Sequence, residues 1–151
     1  MQEVLDDFAS QDNHDYDVEN LVYANFWRRV AASLIDGIII TFPLRLLRYA
    51  VGNSPAEQIV ISLLFIVVRW LYFAFQEGGI QQATIGKRAM KLKVTNLQGE
   101  AISFGQATGR HFAKIISAMI LLIGYFMAAF TEKKQALHDM IAGTLVVEDE
   151  D

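Results

Sequence analysis

The chain has no cysteine. Structural disulfides, thiolate metal sites and cysteine nucleophiles are excluded at once. Proline occurs only twice and histidine three times. The HExxH pattern of helical zinc sites, the Walker phosphate loop and the GxGxxG dinucleotide fingerprint are all missing. The first twenty residues hold no lysine or arginine, and instead carry Glu3, Asp6, Asp7, Asp12, Asp15, Asp17 and Glu19. Little there could form a core, so residues 1–21 read as a disordered, solvated acidic tail. A secretory signal is not expected, because the charge has the wrong sign and no apolar run follows directly.

What is present is apolar and arrives in blocks. Hydrophobic residues make up 53% of the 151 and charged residues only 20%, enough chain for one domain. The net charge of -4 hides a segregation: residues 21–147 hold all 13 basic side chains and six acidic ones, while the last four residues are all acidic. Basic residues beside apolar runs read as membrane-flanking charges rather than as a nucleic-acid surface. Covering about 30 Å of hydrocarbon takes roughly 20 helical residues. Three stretches approach that length: Val30 to Leu47, Ile59 to Phe75, and Phe112 to Phe130. Trp27 anchors the first at the interface, the Arg28-Arg29 pair marks its cytoplasmic end, and Pro43 should kink it. Gly52-Asn53-Ser54-Pro55 turns the chain, so the first two spans form a helical hairpin.

Between the second and third spans the pattern changes. Gln81 to Leu92 mixes apolar and basic positions and suits a short amphipathic helix on the membrane surface. Lys93 to Phe104 alternates around Gly99 and reads as a cytoplasmic β-hairpin. Gln135 to Val147 is semi-apolar and suits an interfacial or re-entrant segment. The expected fold is therefore an all-α integral membrane protein with a transmembrane domain over residues 22–148 and an acidic end at 149–151. It comprises a helical hairpin, a third transmembrane helix, a short β-hairpin and an amphipathic segment. Eight basic residues on one side against four on the other place the N-terminus in the cytoplasm of a multi-pass protein. Three crossings would leave the C-terminus outside. A competing arrangement pairs Leu145-Val146-Val147 with the cytoplasmic hairpin and needs residues 135–147 to return.

Two charges stand where lipid should not admit them. A carboxylate inside a span costs roughly 2.5–3.5 kcal/mol on insertion scales, so Asp36 must face protein or water. Arg29 precedes it by two helical turns, about 10.5 Å, on the same face. Ser33 and Gly37 accompany them and permit close helix approach. Arg69 lies at a similar depth on the second span and can reach Asp36. Asp139, following His138, is a candidate second carboxylate at the same site. The ion- or proton-binding candidates are thus Asp36 and Asp139, with Arg29 and Arg69 tuning or pairing them. A buried ion pair that only fixes helix register is the alternative. Glu57, Glu77, Glu100 and Glu132 read as solvated loop residues.

These residues resemble the RDD family of membrane proteins, named for one Arg and two Asp. The matching stretches are Phe26 to Asp36, Thr84-Ile85-Gly86-Lys87-Arg88, Gly99, Arg110, and Leu137 to Val147, in the family's order. The resemblance implies that Arg29 is the family's Arg and that Asp36 and Asp139 are its two Asp. It also implies a bacterial inner-membrane domain suspected of transport, with sodium–proton antiport in some members. Arg69 and the long acidic tail depart from the pattern. Two functions follow. One is a cation–proton exchanger using an intramembrane carboxylate, which three helices could enclose only as a homo-oligomer. The other is a non-transporting membrane scaffold or accessory subunit with a structural Arg/Asp network. The expected partners are the lipid bilayer, a second copy, and a monovalent cation with a proton. No nucleic acid, cofactor, metal or enzymatic activity is expected, since no nucleophile–base pair or metal cluster has convincing spacing.

Overall fold

The computed structural model describes residues 21–51, 54–120 and 123–149. The expected tail before residue 21, the Gly52-Asn53 half of the turn and the last two acidic residues lie outside them. Helix α1 runs Phe26–Ala50 and α2 runs Pro55–Glu77. Both are long and apolar enough to cross a membrane. Asn25 starts α1 by accepting the Trp27 amide at 3.1 Å. The helix is continuous through Pro43, although that residue cannot donate to the carbonyl four positions earlier. Ser54 and Glu57 close a reciprocal cap on α2, with Pro55 in its first turn.

The remainder folds back against one end of this hairpin. It comprises α3 (Ile85–Ala89), β1 (Leu92–Asn96), α4 (Phe104–Met119), α5 (Ile123–Phe130), α6 (Leu137–Ala142) and β2 (Thr144–Glu148). Strands β1 and β2 pair antiparallel, Leu92 opposite Glu148 through Asn96 opposite Thr144. Residues 22–24 extend the sheet on the far edge of β2. Tyr23 bridges Val147, the Ala24 amide donates to Val146 at 2.9 Å, and the Glu148 amide donates to Val22 at 2.8 Å. Ala24, Ala32, Leu92, Val94, Ile102, Ala107 and Val146 form the core beneath this sheet. Three segments remote in sequence therefore meet in one module at the Phe26 end of α1.

Several expectations are corrected here. The hairpin over Lys93–Phe104 keeps its first strand and its turn at Gly99, whose φ is +83°. Its second arm shrinks to one bridge between Thr95 and Ala101, and the long partner of β1 is β2. The surface helix over Gln81–Leu92 is a five-residue helix with Gly86 and Lys87 buried. Gln135–Val147 is not a single segment: it makes α6, turns at Gly143 in the left-handed region, and continues into β2. The stretch expected as a third span, Phe112 to Phe130, falls on α4 and α5, which lie at 97° to each other and are together long and apolar enough for one broken span or a re-entrant pair.

Candidate functional site

The site begins with Asp36, ten residues into α1 and 1% exposed. Its carboxylate accepts three hydrogen bonds. Tyr72 Oη of α2 donates at 2.7 Å, Thr84 Oγ1 at 2.5 Å and the Gly86 amide at 2.7 Å. Thr84 is the N-cap of α3 and accepts the Lys87 amide at 3.3 Å. Asp36 thus receives a free amide from the first turn of α3, where helix starts leave donors without intrahelical partners. The contact requires glycine at position 86. A Cβ there would stand 2.1 Å from the Ala32 carbonyl oxygen and 2.8 Å from Asp36 Cγ. This explains the Thr84-Ile85-Gly86 sequence.

The second carboxylate, Asp139, lies in the first turn of α6 and is fully buried. Oδ1 accepts from Arg110 Nε at 2.8 Å and Nη2 at 2.6 Å, while Oδ2 accepts from Arg29 Nη2 and, at 3.0 Å, from the Ala136 amide. Arg29 also donates to the Lys134 carbonyl at 2.6 Å. Arg110 then reaches Glu77 at 3.2 Å, and Glu77 meets Lys87 at 2.5 Å and Lys114 at 3.4 Å. One chain of charges runs Arg29, Asp139, Arg110, Glu77, then Lys87 and Lys114. It ties α1, α2, α3, α4 and α6 together.

The polarity of this cluster perturbs its members. Burial pushes the Lys87 ammonium down to about 7, aided by Arg110 and opposed by Glu77. Burial likewise pushes His138 down to about 3, against the pull of Asp139 and with the help of Arg110, Lys114 and Arg29. For Asp139, burial acts upward, but Arg110 and Arg29 overcome it and hold the carboxyl far below the usual carboxylate range.

The sequence-predicted residues therefore fall into two places. Arg29 and Asp139 meet each other. Asp36 accepts from uncharged donors, and among the described residues it forms no ion pair with Arg29 or Arg69. Arg69 instead lies over the Phe73 ring at 5.9 Å and lines the cavity that Asp36 also lines. Sequence reasoning missed Glu77, which is a buried hub rather than a solvated loop residue. It also missed the roles of Arg110, Lys87 and Lys114. The available signal was a carboxylate closing an apolar span beside a segment of four basic residues, Lys87 to Lys93. The described residues contain no group of three His, Cys, Asp or Glu able to hold a metal ion.

Comparison with known proteins places this arrangement. The family model described as "RDD family" matches residues 23–143. The uncharacterized protein YxaI of Bacillus subtilis is 38% identical over 146 residues, covering 82% of this chain and 96% of its own. YckC of the same organism is 31% identical, covering 82% and 83%. The uncharacterized membrane protein YteJ, also of Bacillus subtilis, is 31% identical, covering 83% and 80%. No solved structure matches.

Proposed function

This chain belongs to the RDD family of membrane proteins, and we propose that it acts as a non-catalytic membrane scaffold or accessory subunit. The observation that supports this reading is the fate of the two family carboxylates. Each is buried and fully engaged by fixed protein donors from distant segments: Asp36 by Tyr72, Thr84 and Gly86, Asp139 by Arg29, Arg110 and Ala136. A transported cation would have to displace those donors, and three other basic groups, Arg69, Lys87 and Lys114, stand close by. The polar network fastens the sheet module to the helical hairpin and presents it as one rigid surface. The acidic residues before position 21 supply a second partner surface of opposite character.

Strand pairing supports a two-span topology. Because β1 and β2 lie side by side, residues 97–143 cross the bilayer an even number of times. On this reading the bent α4–α5 pair is a re-entrant element rather than a third span. Ten basic residues fall on the module's side against Arg45 and Arg48 on the other, which supports a cytoplasmic module on a bacterial inner membrane.

Proteoliposomes with an internal pH dye test the reading. Adding Na⁺, Li⁺ or K⁺ should produce no pH change with wild type, while Asp36→Ala should lower the yield of monodisperse protein. A cation-driven pH change that disappears in a well-folded Asp36→Asn variant would overturn the scaffold and support cation–proton exchange.

A further inference from the structure

The cavity beside the network contains more positive charge than its structural role needs. It measures about 370 Å³ and lies between α1, α2, α4, α5 and α6. Arg29, Arg69, Lys87, Arg110 and Lys114 all line it, against Asp36 as the one lining carboxylate among the described residues. Glu77 and Asp139 neutralise part of that charge from behind. Counting both, five cations face three carboxylates. Asp36 is turned toward α3, and Glu77 is shared among three cations. Arg69 contacts no carboxylate among the described residues.

Two further features point into the same space. Arg69 is exposed although it lies eight residues, about 12 Å, inside the Glu77 end of an apolar helix. An arginine at such depth is costly unless it meets an anion or water. His138 also lines the cavity, is 3% exposed, and its Nδ1 has no hydrogen-bond partner among the described residues. The rest of the wall is apolar, with Val30, Leu34, Ile40, Phe73 and Phe126. Guanidinium and ammonium donors above an apolar wall match a phosphate that carries an acyl tail.

We propose that this cavity binds a phosphate group, held by Arg69 and Lys114, and that an anionic phospholipid supplies it. The site stands on residues outside the Asp36 cap, so it can fail while the scaffold reading survives. The test uses the full chain purified in neutral detergent. Its melting temperature is followed while dioleoyl-phosphatidylglycerol, dioleoyl-phosphatidylcholine or inorganic phosphate is titrated in. Phosphatidylglycerol should stabilise wild type at concentrations at least tenfold below phosphatidylcholine, and added salt should weaken the effect. Arg69→Gln, which breaks no ion pair, should keep the ligand-free melting temperature and lose at least tenfold in apparent affinity, and Arg69→Lys should recover part of it. Stabilisation by inorganic phosphate at the same concentrations would support the phosphate site and assign the free ion as its source. Equal stabilisation by both lipids, an unchanged response in Arg69→Gln, or no response to any of the three would overturn the site.

Discussion

Asp36 and Glu77 are both buried carboxylates, yet they answer to different physics. Asp36 is held by neutral donors, so its replacement can be graded. In Asp36→Asn one oxygen still accepts from Gly86 or Thr84, and the Tyr72 hydroxyl can rotate to accept from the new amide. In Asp36→Ala the Gly86 amide, Thr84 and Tyr72 lose their acceptor together. Each such loss typically costs about 1–3 kcal/mol, so denaturant or thermal unfolding in detergent should rank wild type above Asn above Ala. Glu77→Gln acts differently, because buried Lys87 and Arg110 and half-buried Lys114 stay around a neutral group. Breaking a buried pair from one side costs about 3–5 kcal/mol, and the expected result is loss of folded protein rather than a modest shift.

Acid should also attack the molecule at this scale. The folded state keeps His138 neutral down to about 3, whereas the unfolded chain takes up a proton near the ordinary 6.5. Stability is therefore present above 6.5 and declines as pH falls from there toward 3. Asp139, depressed by its arginines, adds a second loss only below its ordinary value of 3.8. The groups that face His138 are Asp139, Arg110, Lys114, Arg29 and Tyr125. Melting temperatures measured from pH 8 to pH 4 should fall in wild type and fall less in His138→Gln. An unchanged slope in that variant would remove His138 from the acid response.

Among the elements, α3 carries the most unusual constraint. Five residues rarely make a stable helix alone, and here the Asp36 carboxylate and the Thr84 cap hold the start of the turn. Glycine at 86 lets the backbone reach α1. In Gly86→Ala the new methyl would meet the Ala32 carbonyl, which is backbone and cannot swing away. The helices must part and the Asp36 bond lengthen, at an expected cost of about 2–4 kcal/mol. Gly109→Ala is the control: nothing lies within 4 Å of its Cβ in the interior of α4, so it should stabilise by about 0.5–1 kcal/mol. Similar losses in both variants would mean that close approach is not what glycine 86 provides. The same element marks how far sequence could be read. The two long spans were legible because lipid demands length and apolarity, which a linear pattern records. Asp36 and Asp139 stood out as charges in apolar stretches, and Arg29 through its spacing and the family pattern. The Asp36–Arg69 pairing rested on equal depth alone, and rotation about the helix axes was not readable, so Tyr72 and α3 took the place assigned to Arg69. Glu77 looked solvated because its three cations lie 10 to 37 positions away. The partner of β1 was obscure for the same reason, being supplied across some fifty residues by β2.

At the level of the whole molecule, strand pairing is the observation that bears most on the proposed topology. Hydropathy offered three apolar stretches, and three crossings would separate the C-terminal strand from β1 by a bilayer. The ladder from Leu92–Glu148 to Asn96–Thr144 keeps them together, and the Arg28–Glu148 and Lys93–Asp149 pairs at 2.5 and 3.2 Å reinforce it. A chain without cysteine is suited to testing this, since one introduced thiol is the only reactive site. Glu100→Cys, Glu132→Cys and Asp149→Cys probe the β1 turn, the end of α5 and the end of β2. Tyr49→Cys, at a position 91% exposed near the far end of α1, probes the other side. With a membrane-impermeant maleimide on inside-out vesicles, the first three should label together while Tyr49→Cys stays protected. On intact spheroplasts the pattern should reverse. Labelling of Asp149→Cys together with Tyr49→Cys would place β2 across the bilayer from β1 and restore the three-span arrangement. Agreement of the first three would leave α4 and α5 as a bent pair entering and leaving from one side, with the cationic cavity at its base.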